Sequence, residues 1–185
     1  VLASIVVPTY RNYDVLTRCL RAVHEHTEGD YELLVIDNGS RARGWTWAAN
    51  RGLRAAEGEL LVLLNDDVVV MDGWLPPLWR AFHDEPDLLA ASSSDPGGDN
   101  WPLNVWCVAF TRESYRTVGG FDERYIHWQS DCDLMQRITD MGRRYQRVEE
   151  SHARHLRGEA PTDEKTLATM RAWHRNDFDG REPGW

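Results

Sequence analysis

Two acids stand side by side in this chain, Asp66 and Asp67, directly after the apolar run Leu60 to Leu64 and directly before a second one, Val68 to Met71. An uncompensated carboxylate inside a core is costly, so acids clamped between core segments face a cation or a cleft. The plainer reading is a solvated Asn65-Asp66-Asp67 turn between two strands. Two other polar clusters share this setting. Pro8-Thr9-Tyr10 follows the apolar run Ala3 to Val7, and Asp37-Asn38-Gly39-Ser40 follows Tyr31 to Ile36. Each cluster alone is a commonplace turn. Cys132, between Asp131 and Asp133, is a poor nucleophile, because flanking negative charge disfavours the thiolate.

The elements that must carry these clusters follow from periodicity. Leu60 to Leu64 is too short for a membrane span and too continuous for a half-exposed strand, which makes it a strand buried on both faces. Ala3 to Val7 and Tyr31 to Ile36 read as strands of the same buried kind. Between them Val15, Leu16, Cys19, Leu20 and Val23 recur at helical spacing, with Asn12 or Asp14 as N-cap. A second helix containing Gly52, Leu53, Ala55 and Ala56 begins near Trp47 and closes at Gly58. Strand, helix, strand, helix, strand in this rhythm predicts a mostly parallel, Rossmann-like α/β sheet with helices on both faces. In such sheets ligands bind beyond the carboxyl ends of the strands. All three polar clusters fall at that edge, which favours one shared site over three separate turns.

Further along, Asp72 to Asp84 reads as a helix capped by Asp72, its first turn holding Pro76 and Pro77. Leu88 to Ala91 is a short strand, and the Ser-, Gly- and Asp-rich stretch Ser92 to Asn100 reads as a mobile surface loop that could act as a lid. A strand over Val105 to Phe110, a short helix over Thr111 to Val118, a helix over Asp131 to Met141 and a last strand over Tyr145 to Val148 follow. His152 and His155 fall in a loop from Ser151, and Asp163 to Asn176 reads as a terminal helix.

The whole-chain numbers bound the function. A chain of 185 residues, 42% hydrophobic and 28% charged, is most simply one domain with a substantial core. No apolar run is long enough to span a bilayer. A formal charge of -9 with a single lysine, Lys165, argues against nucleic acid as a partner. An anionic ligand would need a divalent cation or a few well-placed arginines. Three scattered cysteines, Cys19, Cys107 and Cys132, suggest no disulfide framework, and with no leader at Val1 the expected setting is cytoplasmic, at most peripheral to a membrane.

Taken in order, Val7-Pro8-Thr9-Tyr10, Ile36 to Ser40, Asn50-Arg51-Gly52, Leu64 to Asp67, Gly119 to Glu123 and Trp128 to Leu134 resemble the inverting GT-A glycosyltransferases of family 2. The resemblance runs from Ile5 to about Gly158 and implies a compact GT-A domain. Its nucleotide-binding half would span about 1–71 and its acceptor-binding half about 72–158, with a helix at about 161–176. It implies a nucleoside diphosphate sugar (UDP-, GDP- or dTDP-linked) as donor, held by Pro8, Thr9, Tyr10, Asp37 and Asn38, with Asp66 at the ribose or donor sugar. Asp67 matches the DxD-type ligand of a Mn2+ or Mg2+ ion, and His155 matches a histidine that relatives often place on that metal. Asp131 matches the family's catalytic base, although Ser130 stands where the family has Glu; the plainer reading of Asp131 is a helix N-cap. Asp133 is implied at the acceptor site or the helix start.

On the acceptor side Trp101, Trp106 and Trp128 are the tryptophans whose faces could stack on sugar rings. The acceptor implied is a hydroxyl on a glycan, a lipid-linked species or a small molecule. One departure is marked: between Ser40 and Gly44 the chain is far shorter than in the family, so an edge strand is expected to be missing, with Arg43, Arg51 or Arg54 compensating at the diphosphate. Two other readings stay open, a catalytically degenerate sugar-nucleotide binding module and a nucleotidyltransferase. The second lacks its expected Gly-rich phosphate loop after the first strand.

Overall fold

The computed structural model describes residues 2–39, 43–98, 100–156, 168 and 172. Leu60–Leu64 (β3) is buried at every position, and its side chains part to two sides as a strand's must. Leu60, Val62 and Leu64 join one apolar cluster, while Leu61 and Leu63 join the other. The first cluster is closed by Tyr13–His26 (α1) and Leu75–Asp84 (α3) through Leu16, Cys19, Val23, Trp74 and Leu78. The second is closed by Trp45–Ala55 (α2), Arg112–Val118 (α4) and Ser130–Asp140 (α5) through Ala49, Leu53, Val118, Leu134 and Ile138. Helices therefore cover both faces, as the strand and helix rhythm predicts.

Among the described residues seven strands form the sheet, in the order β2-β1-β3-β6-β5-β7-β4. Ala3–Thr9 (β1) lies parallel between Tyr31–Asp37 (β2) and β3. Beyond β3 the sheet is mixed. Cys107–Thr111 (β6) runs antiparallel to both β3 and Leu88–Ser94 (β5), and Val68–Val70 (β4) runs antiparallel to the end of Arg144–His155 (β7). β5 and β7 are parallel, with a register break between Ser93 and Ser94 where the partner jumps from Val148 to His152. That bulge frees the last residues of β7 to leave β5 and pair with β4.

Several local expectations change. β2 is an edge strand rather than a buried one, with Leu33 38% and Val35 40% exposed, because among the described residues β1 alone pairs with it. Asp72 does not cap α3, which starts at Leu75 after Trp74; Asp72 pairs instead with His26 at 2.6 Å. Ser92 to Asn100 is no free lid, since Ser92, Ser93 and Ser94 are buried residues of β5 and Asp95 is buried behind them. His152 and His155 stand in strand β7 rather than in a loop. The expected terminal helix lies outside the described residues except for Ala168 and Ala172, both helical, and Ser40 lies outside them as well.

The Asn50-Arg51-Gly52 segment packs α2 onto the sheet and onto the chain ahead of α5. A Cβ on Gly52 would come within 2.2 Å of Val6 Cγ1 and 3.0 Å of Ile36 Cγ1, so only glycine lets the helix lie this close to β1 and β2. Asn50 is buried; its amide donates to the Phe121 carbonyl at 2.7 Å, and its oxygen accepts from the Phe121 N–H at 2.9 Å. Thr46 donates its hydroxyl to the Tyr125 carbonyl. Residues 121–129 thus hang from α2, and α5 begins from that anchored stretch.

Candidate active site

The carboxyl ends of β1 and β3, the start of α2, the strand end of β7 and the start of α5 surround one cleft of about 500 Å3. Its floor carries Pro8, Thr9, Tyr10 and Asn12 from β1 and the loop after it, and Asn38 from the end of β2. Asn65, Asp66 and Asp67 follow β3, and Trp106, His127, Trp128, Gln129, Ser130, Asp131 and His155 close the far side. The three polar clusters of the sequence do meet at one edge of the sheet. Asp67 and Asp131, 64 residues apart in the chain (131 − 67), line the same space.

Both acids of the pair are half-buried. Burial pushes the Asp66 carboxyl up to about 6, against the Thr9 hydroxyl that donates to it at 2.7 Å and the Asn12 side chain. Asp67 faces His155, whose Nε2 lies 3.2 Å from Oδ2. The register explains the pairing: β4 runs antiparallel to β7 with Val68 opposite His155, and the Leu156 N–H donates to the Asp67 carbonyl at 2.8 Å. His155 also stacks on Trp106, with ring centroids 5.4 Å apart, and its backbone N–H donates to Asp95. Asp67 Oδ1 and His155 Nδ1 are buried without a hydrogen-bond partner. Buried polar atoms of this kind call for an explanation, and a carboxylate and an imidazole side by side have the chemistry to share a divalent ion. No group of three or more His, Cys, Asp or Glu residues is gathered for a metal among the described residues. The chemistry of the pair, one carboxylate and one imidazole, fits a divalent ion.

Asp131 is the second residue of α5, and its Oδ1 accepts the Cys132 N–H at 2.9 Å. It thus does part of a cap's work while still facing the cleft. The N-cap itself is Gln129, held in the left-handed region with φ 60°. Ser130, where the resemblance implies Glu, is buried. The Cys132 thiol is pushed up to about 12 by burial first and by Asp131 second, which removes it as a nucleophile at neutral pH.

Two of the expected acids, Asp37 and Asp133, do not line the cleft. Asp37 is exposed at the end of β2 and turns to its own loop, accepting the Gly39 N–H at 2.7 Å and the Tyr13 hydroxyl at 3.1 Å. Asp133 points away to Arg137 at 2.8 Å, and that guanidinium also holds the Val118 and Gly120 carbonyls. Its place is in bracing the start of α5, one of the two roles expected of it. Of the two candidate histidines, His155 reaches the cleft, and His152 is exposed on the other side of β7. Arg43, Arg51 and Arg54 are not in the lining; Arg54 pairs with Glu123 at 2.9 Å.

Sequence reasoning missed Trp45, Asn104, His127 and Gln129, all of which line the cleft. Trp45 had a signal in the glycine before it: Gly44, with φ 100°, opens α2 at Trp45, two residues ahead of the start expected near Trp47, and the Trp45 indole N–H donates to Asn65 at 2.8 Å. Gln129 had none, because nothing in its neighbours announces a left-handed residue.

The family model described as "Glycosyl transferase family 2" matches residues 4–43 and 41–143. A dolichol-phosphate mannosyltransferase of Pyrococcus furiosus is 24% identical over 126 residues, covering 54% of this chain and 36% of its own length. Among solved structures, the mannosyltransferase PcManGT from Pyrobaculum calidifontis, in complex with GDP-Man and Mn2+, superposes with a TM-score of 0.64 at 19% identity. That match covers 85% of this chain and 58% of the other. GalNAc-T7 with UDP, GalNAc and Mn2+ gives 0.68 at 14% identity, over 93% of this chain and 47% of its own. S. aureus TarS 1-349 gives 0.65 at 16%, over 95% and 65%. The chain thus spans about a third to two thirds of the length of these relatives. No helix among the described residues is long and apolar enough to cross a membrane.

Proposed function

The chain belongs to glycosyl transferase family 2, and on that footing we propose that it moves a glycosyl group from a nucleoside diphosphate sugar to an acceptor hydroxyl with inversion. Its sheet and helices have the GT-A arrangement of the glycosyltransferases it superposes on. The observation that carries the reading is the convergence of Asp67 and Asp131 on one cleft beyond the carboxyl ends of β1 and β3.

In this reading Pro8, Thr9, Tyr10 and Asn38 seat the nucleoside, and Asp66, steadied by Thr9, takes the ribose or donor sugar. Asp67 and His155 would hold a Mn2+ or Mg2+ ion, which when bound would supply positive charge to offset that of the departing diphosphate. Asp131 accepts the proton of the acceptor hydroxyl as that oxygen attacks the anomeric carbon from the side opposite the leaving group. Anchoring of α5 through Asn50 and Arg137 holds that carboxylate in place before the substrate arrives. The acceptor is a hydroxyl of a glycan, a lipid-linked species or a small molecule.

Ser130 favours a second reading, a module that binds the sugar nucleotide without transferring it. Melting curves with UDP, GDP and dTDP, each with Mn2+ and with EDTA, test the donor half. One nucleotide raises the midpoint only with the metal, since a ligand at 100 times its Kd adds about 2.7 kcal/mol to native stability. No shift with any nucleotide sinks both readings. A shift without release of nucleoside diphosphate from the sugar nucleotide, across a panel of acceptors, selects the module.

A further inference from the structure

Gln129 is one of two non-glycine residues with positive φ among the described residues. Side chains in the left-handed region are strained, and such strain persists where surrounding structure holds it for a purpose. Its carbonyl accepts the Asp133 N–H at 3.0 Å, which starts α5. Gln129 lines the cleft two residues before Asp131, and its amide is bonded to no described residue. A free amide there offers donors and an acceptor together, the equipment for reading a hydroxyl.

Trp101 lines the same cleft and is 49% exposed. Its backbone is braced. The Trp101 N–H donates to Asn104 Oδ1 at 2.9 Å, Asn104 donates to the Ser93 carbonyl at 2.9 Å, and Arg147 donates to the Trp101 carbonyl at 2.8 Å. A large apolar side chain left open on a fixed backbone loses little freedom when a partner covers it. None of the described residues lining the cleft is lysine or arginine, whereas Asp66, Asp67 and Asp131 all do so. An acceptor bearing a phosphate or carboxylate would enter against that negative charge, with no lysine or arginine among the described lining residues to meet it.

We propose that Trp101 and Gln129 form the acceptor subsite of this cleft, and that it takes a neutral saccharide, its ring against the Trp101 indole and its hydroxyls on the Gln129 amide. The proposal rests on the glycosyltransferase reading for the word acceptor, but the subsite can be measured apart from it. The full chain, with Mn2+ and whichever nucleotide raises its melting midpoint, is titrated by saturation-transfer NMR with methyl glucoside, methyl mannoside, their disaccharides, the matching sugar 6-phosphates and 4-nitrophenol.

A neutral saccharide binds about ten-fold or more tighter than its phosphate, and Trp101→Ala and Gln129→Ala each weaken it about ten-fold more than they weaken the nucleotide. Gln129→Gly, which suits the left-handed backbone, keeps the melting midpoint and loses the same saccharide affinity. Saccharide affinity that survives Gln129→Gly or Trp101→Ala overturns the proposal. So does tighter binding of a sugar phosphate or of 4-nitrophenol, or no saccharide binding at all. If no nucleotide binds, the donor reading fails, and the same titration on the free protein still decides the subsite.

Discussion

Asp131 and Asp67 ask opposite things of a substitution. In the proposed reaction Asp131 must take up a proton, so Asp131→Asn keeps the cap on the Cys132 N–H and loses the base. Transfer falls by about 10²–10⁴-fold with nucleotide affinity retained, read as release of nucleoside diphosphate beside a binding titration. Asp67→Ala removes a ligand instead, so metal-dependent nucleotide binding weakens along with turnover. Equal loss of nucleotide affinity in both variants would contradict this division of roles. Asp66, Asp67 and Asp131 were legible from the chain as acids placed at element ends. The partners were not: that Asp67 meets His155, and that Asp133 turns to Arg137, depends on strand register and helix rotation, which spacing alone does not set.

At the scale of elements, the close seat of α2 on β1 and β2 gives a stability prediction. Gly52→Ala drives a methyl into Val6 and Ile36, whose branched side chains have little room to turn, and destabilises the fold by about 1–3 kcal/mol in chemical denaturation. An unchanged midpoint would mean that α2 shifts at no expense. The far end of β2 is held through charge. The Ser4 hydroxyl and then the Glu57 N–H hold the Glu32 carboxyl below its ordinary value of 4.5. A depressed carboxyl contributes stability above its unfolded value and loses it as pH falls through the folded one. Glu32→Gln therefore melts lower than the wild type at pH 7, and the two curves converge as the pH falls through the lowered value of the folded carboxyl. A gap that persists in acid would assign the effect to geometry rather than charge.

Across the whole molecule, the first half was legible because β1, β2 and β3 announce themselves as apolar runs closed by polar clusters, and parallel order follows from the helices between them. The second half was read less well. β5 extends through Ser92 to Ser94, small polar residues that look like a loop but are buried, with Ser93 bonded to Ser151 at 2.7 Å. Alternation marks β7 only over Tyr145 to Val148, because its continuation is charged and carries a bulge that breaks the two-residue period. That bulge has a further consequence. Because the end of β7 is set against β4 apart from its pairing with β5, the identity of the side chain offered to Asp67 hangs on three rungs, Val68 to Val70 against His155 to Ala153. A slip of one position there would present Arg154 in place of the imidazole, and a guanidinium locked onto the carboxylate would turn a metal seat into a permanent ion pair.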